Sequence, residues 1–187
     1  MAASATQCPG GRRSVRNDEE NCMASPASLK VQSQIVSEGK AIPPSAVHPS
    51  AGGQNVSPDL SWDAPPAGTK SLAITCYDPD APTTVGFSHW VLFDLPGDLR
   101  SLPAGAGAPG KAPKGSVLGF SDYGESAYGG MAPPPGDPPH RYQFTVYALD
   151  VPKLESGATT TYAKFRFLIR GHVLAQGMLT GLFGRQR

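Results

Sequence analysis

The sequence predicts a mainly β fold: an antiparallel β-sandwich with one C-terminal flanking helix and long Gly/Pro-rich loops. Three observations lead there. Glycine (22) and proline (20) are abundant and spread along the 187 residues, which suits many short strands joined by turns and breaks up helical bundles. Several stretches alternate apolar and polar residues with period two. Only one late stretch carries apolar residues at helical spacing.

In chain order, residues 1–27 set Arg12, Arg13 and Arg16 against Asp18, Glu19 and Glu20 with almost nothing apolar between them. Such a segment has no core to bury and reads as a disordered tail before a single domain over 28–187. Leu29, Val31 and Ile35 mark a first strand, and Gly39 to Pro44 a turn. Leu60-Ser61-Trp62 is a short strand. Ser71 to Tyr77 alternates Leu72, Ile74 and Cys76 against Ser71, Ala73 and Thr75. His89 to Leu95 follows, with Val91, Phe93 and Leu95 expected on the face of His89. Pro96 to Lys114 reads as a long surface excursion. Tyr142 to Leu149 alternates Tyr142, Phe144 and Val146 with Gln143, Thr145 and Tyr147. The helix is expected over Phe165, Leu168, Ile169, His172 and Val173, capped by Thr159 or Thr160 and ended at Gly177, with a closing strand over Met178 to Phe183.

Lys+Arg 16 against Asp+Glu 15 leaves a net charge of +1, so no bulk attraction to nucleic acid or to an anionic membrane is implied. No apolar run has the length of a signal peptide or a membrane span. The cysteines, Cys8, Cys22 and Cys76, are odd in number and lack metal-site spacing. Neither cofactor nor metal is indicated, and a reducing, cytoplasmic setting is the default.

Chemistry concentrates in two proline-stiffened loops. Asp78-Pro79-Asp80-Ala81-Pro82 joins two strands, and Gly86-Phe87-Ser88-His89-Trp90 follows closely. The second loop runs Tyr128-Gly129-Gly130 through Pro133-Pro134-Pro135-Gly136 to His140-Arg141-Tyr142. Brought to one end of a sandwich, Asp78, Asp80, His89, His140 and Tyr142 would combine a carboxylate that keeps a histidine charged with phenol, imidazolium and glycine-loop amide donors. That set suits a small anion. Asp80 has a second reading, as a cap on the amides of its own turn. Arg141 reads as the partner of a carboxylate or loop carbonyls, His48 as solvent-exposed, His172 as packed on the helix. A cis Ala81-Pro82 bond is also expected.

These motifs resemble the signatures of the phosphatidylethanolamine-binding proteins. Ser57-Pro58-Asp59-Leu60-Ser61-Trp62, Tyr147-Ala148-Leu149-Asp150 and Gly171-His172-Val173-Leu174-Ala175 are similar to the bacterial-type, Raf-kinase-inhibitor-like branch, and the resemblance spans about Leu29 to Arg185. It implies a binding or regulatory protein, not an enzyme. Its pocket for a phosphate-like anion or phospholipid head group would be walled by Asp78, Asp80, His89, His140 and Tyr142, with backbone near Ala132 and Pro133. A kinase or protease is the implied protein partner. The chain departs from the pattern at Met131-Ala132, where Pro-Cys is usual, and at Ser50-Ala51-Gly52-Gly53, which replaces a Thr-Cys-Asp-Gly. Two other readings stand beside this one: a hydrolase using an Asp–His pair, and a protease inhibitor acting through a loop such as Pro96 to Lys114. Against the hydrolase, no serine or threonine is placed as a nucleophile and no GxSxG elbow occurs.

Overall fold

The computed structural model describes residues 26–187. The expected tail, 1–27, lies outside them except for Pro26 and Ala27, and Ala27 already belongs to the first strand. Among the described residues nine strands and one α-helix are formed in the order β1 (Ala27–Ser28), β2 (Val31–Gln32), β3 (Leu60–Trp62), β4 (Ser71–Asp78), β5 (Phe87–Pro96), β6 (Ser101–Leu102), β7 (Val117–Leu118), β8 (His140–Leu149), α1 (Tyr162–Leu168) and β9 (Val173–Phe183). They build a six-stranded sheet, β1-β9-β8-β4-β5-β7, and a three-stranded sheet, β2-β3-β6. Every pairing is antiparallel except β1 beside β9.

Between the sheets lies the main core, where Leu72, Ile74, Cys76, Trp90, Leu92, Phe144 and Val146 meet Val31, Leu60, Trp62 and Leu102. The opposite face of the large sheet is covered as well. Ala73, Val91, Phe93, Tyr147 and Leu149 pack against Leu154, Phe165 and Ile169 of the segment around α1. This second layer buries Ser71, Ala73 and Thr75, the residues expected to alternate as the polar face of β4. Ser71 satisfies its hydroxyl by donating to the Val151 carbonyl, 2.6 Å away.

Two bulges in β5 correct the expected faces. Cys76 pairs with Trp90 and Tyr77 with Ser88, so His89 has no partner on β4; its ring stays with the main-core side although Val91 and Phe93 point outward. Leu72 pairs with Leu95 and Ile74 with Leu92, leaving two residues of β5 opposite one of β4. Asp94 sits there at φ 59, a conformation that aspartate tolerates, and its carboxylate accepts the Leu154 N–H at 2.8 Å. The extra residue returns Leu95 to the main core.

The helix is shorter than its periodicity predicts. Thr161, not Thr159 or Thr160, caps it by accepting the Lys164 N–H at 3.3 Å. The chain then turns through Gly171 (φ 84). Val173 to Gly177 belong to β9, because pairing with β8 over Leu149↔Val173 to Val146↔Gly177 claims them; sheet pairing overrides local helical spacing. His172 is thereby off the helix, and its Nδ1 lies 2.8 Å from Asp150. The stretch Pro96 to Lys114 is no bare excursion: it supplies β6 to the small sheet and buries Ala106. The described residues contain no cis peptide, so Ala81-Pro82 is trans. None of their helices is long and apolar enough to cross a membrane.

Candidate functional site

At one end of the main core the two punctuated loops enclose a cavity of about 350 Å³. Asp78 closes β4, His140 and Tyr142 open β8, and His89 comes from the β5 bulge. On alternate positions of β4 and β8, Asp78, His140 and Tyr142 share the inward face with Cys76 and Phe144. Ala132 and Pro133 line the cavity from the second loop, and Pro82, Thr83 and Phe87 from the first.

Asp78 is 2% exposed. One of its oxygens accepts the Asp80 N–H at 2.8 Å, closing the turn that leaves β4, and the other lies 2.8 Å from Nδ1 of His140. With Nδ1 engaged, Nε2 is the nitrogen His140 has left for the cavity, and its nearest charge is Asp137 at 3.6 Å. His89 is held the same way. Its Nδ1–H donates to the Gly129 carbonyl at 2.8 Å and reaches Gly130 at 3.2 Å. Burial pushes this imidazole below its ordinary value, outweighing the carbonyls and the Asp78 charge. His89 is therefore neutral at neutral pH, and of the two histidines it is His140 that the Asp78 carboxylate meets. The Tyr142 hydroxyl is buried with no partner at ordinary hydrogen-bond distance, and the Asp78 carboxylate is the acceptor it lies near. Burial, then Asp78, pushes its phenol upward, so it keeps its proton as a donor.

Asp80 is not among the cavity walls. Its oxygens take Nη2 and Nε of Arg141 at 2.7 and 2.9 Å, and the Arg141 N–H at 2.9 Å. The guanidinium holds the Asp80 carboxyl down at about 2. This pair clamps the β4–β5 loop to the start of β8. The expected glycine-loop donors are also committed elsewhere: the Gly129 N–H goes to the His89 carbonyl and the Gly130 N–H to Asn55 Oδ1. A Cβ on Gly130 would lie 2.4 Å from the Ala46 carbonyl oxygen, so only glycine allows this approach.

Sequence reasoning missed Tyr123, which donates to the Gly130 carbonyl at 2.8 Å and stands edge-on to His89. Its ring stacks on His48 at 4.7 Å, so His48 is not simply solvent-exposed. Arg185 was missed too; its guanidinium reaches the carbonyls of Pro133 and Ser50, both cavity residues, at 3.4 Å. Arg185 lies outside both punctuated loops, and Tyr123 precedes the Tyr128-Gly129-Gly130 motif on which the second was read. Among the described residues, no group of three His, Cys, Asp or Glu side chains could hold a metal.

The fold and site define a class: a β-sandwich with a small, largely apolar cavity between two loops at one end, into which a few polar groups converge. The chain belongs to the phosphatidylethanolamine-binding protein family, whose model matches residues 32–184. It is 42% identical over 158 residues to UPF0098 protein YbhB of Escherichia coli, covering 83% of this chain and 99% of that protein. The crystal structure of E. coli YbcL, described as a new member of the mammalian PEBP family, superposes with a TM-score of 0.82 at 36% identity, covering 86% of this chain and all of that one. CT736 of Chlamydia trachomatis gives 0.72 at 30% identity over 87% of this chain and all of its own.

Proposed function

We propose that the cavity binds a phosphate-bearing head group, and that the protein is a ligand-binding regulator rather than an enzyme. One observation carries this reading. The buried Tyr142 hydroxyl, without a partner, lines the same cavity as two imidazoles whose Nδ1 atoms are both tied back to the protein. A buried donor left unmade is costly, and an anionic oxygen completes it. Arg185 brings a cation to the backbone of two cavity residues, Pro133 and Ser50. In their neutral forms the two Nε2 atoms are acceptors, that of His140 with the Asp137 carboxylate 3.6 Å away, so an anion binds together with a proton: either it arrives as a protonated phosphate, or an imidazole takes the proton up.

The hydroxyls of the cavity do not favour catalysis. Thr83 donates to the Gly86 carbonyl at 2.6 Å. Ser50 Oγ lies 2.8 Å from His48 Nδ1, but that nitrogen also accepts the Ser50 N–H as the cap of a short 3-10 turn. Pro82 and Thr83, exposed residues of the cavity wall, are the part through which we propose an occupied pocket presents itself to a kinase or protease.

Calorimetric titration of phosphate from about pH 5 to about pH 8, in buffers of different ionisation enthalpy, tests the reading. Affinity should weaken as pH rises, by up to about tenfold per pH unit, with net proton uptake wherever the phosphate is not already protonated in solution. Asp78→Asn should bind more weakly at neutral pH, because a neutral amide holds Nδ1 of His140, 2.8 Å away, less firmly than the carboxylate does. Tighter binding by the variant, or affinity that does not weaken as pH rises, refutes it.

A further inference from the structure

On the outer face of the large sheet, beside α1, lies a second cavity of about 490 Å³. It shares no residue with the first, since Tyr77, Gln143 and Thr145 occupy the positions of β4 and β8 between the inward-facing ones. We propose that this groove is a separate site for a small planar aromatic anion, an aryl carboxylate or aryl phosphate.

The charge in the groove is Arg166. None of the ion pairs among the described residues includes it. Its Nη1 donates to the Tyr147 hydroxyl at 2.6 Å, with the guanidinium carbon 5.4 Å from that ring's centre. The contact fixes the guanidinium in direction and leaves its charge unmatched, with further N–H donors for a planar oxyanion. The aromatic platform is Tyr77 from β4 stacked on Tyr162 from α1, with centroids 4.8 Å apart and planes 14° from parallel. Tyr77 is locked in turn by donating its hydroxyl to the Val85 carbonyl at 2.6 Å. Both recognition elements are thus held in place before a ligand arrives, which lowers the entropic cost of binding. Gln143, Thr145 and Gln176 supply neutral polar groups, and the half-exposed Met178 a polarisable apolar edge.

The probe is 2-naphthoate, followed by amide shifts in two-dimensional NMR of the full chain. Saturable shifts are expected at Gln143, Thr145 and Met178. Arg166→Gln should weaken binding about tenfold, the loss of one charge-assisted contact, and Arg166→Lys should recover part of it. Tyr162→Leu should weaken it independently. Cyclohexanecarboxylate, with the charge but no aromatic face, and 2-naphthol, with the face but no carboxylate, should both bind less tightly than 2-naphthoate. His140→Ala should leave 2-naphthoate binding unchanged while phosphate binding in the first cavity falls, which separates the two sites. The proposal is overturned if no saturable shift occurs at Gln143 and Thr145, or if Arg166→Gln binds as well as wild type. It also fails if the shifts vanish in His140→Ala, or if sedimentation shows a dimer whose interface covers this face.

Discussion

His89 is the residue whose environment departs most from its local sequence. Alternation along β5 would send it outward with Val91 and Phe93; the bulge turns it inward, onto the Gly129 carbonyl and against Tyr142 at 5.2 Å between ring centres. Because burial lowers its folded-state pKa, the unfolded chain binds a proton first. Stability should therefore fall as pH drops below the ordinary value of 6.5, by at most about 1.4 kcal/mol per pH unit, and this loss should stop once the buried ring itself protonates. Above that window His89 contributes nothing to the slope. Urea midpoints measured downward from neutral pH should show a shallower decline for His89→Gln than for wild type; equal slopes would refute the neutral buried ring. Asp80 acts in a different window. Its carboxyl is depressed, so its contribution is complete above 3.8 and lost as pH falls through about 2. With Arg141 largely in water, that contribution is small.

At the scale of elements, the cavity depends on how the loop ending at Gly130 is seated. Three contacts fix it: Asn55 accepts the Gly130 N–H at 2.7 Å, Tyr123 donates to the Gly130 carbonyl, and the Gly129 N–H pairs with His89. Gly130→Ala drives a methyl onto the backbone of Ala46, Val47 and His48, which cannot move aside as a flexible side chain would. The variant should fold with a stability loss of about 1–3 kcal/mol and lose phosphate affinity more than a neighbouring control such as Ser126→Ala. Thermal unfolding and the same calorimetry measure both. Unchanged affinity would mean that the carbonyls of this loop do not orient His89.

Across the whole molecule, the large sheet is the common wall of two cores. Successive residues of β5, Val91, Leu92 and Phe93, feed the outer, inner and outer layers in turn. The layers should consequently unfold together. Leu92→Ala should cost about 2–5 kcal/mol and Phe165→Ala about 3–5 kcal/mol. Both should shift one transition seen alike by far-ultraviolet dichroism and by fluorescence of Trp62 and Trp90, which both lie in the inner core. A separate early transition in Phe165→Ala would show that the outer layer is an independent unit.

The sequence by itself determined the β class, the cores of β3, β4, β5 and β8, and a family resemblance that the comparisons uphold. These are legible because period-two alternation and Gly/Pro punctuation are local consequences of backbone geometry. Of the proposed walls, Asp78, His89, Ala132, Pro133, His140 and Tyr142 do line one cavity, because the two motifs carry them to strand ends. What tertiary structure decided is who pairs with whom. Asp78 could have met either histidine, and the register of β4 against β8 selects His140. Asp80 left the site because Arg141, also brought by β8, offered a bidentate partner. Val173 to Gly177 left the helix because β8 offered a ladder of hydrogen bonds. Tyr123 and Arg185 became cavity neighbours through contacts with Gly130, Pro133 and Ser50, and such long-range partners leave no periodic trace along the chain.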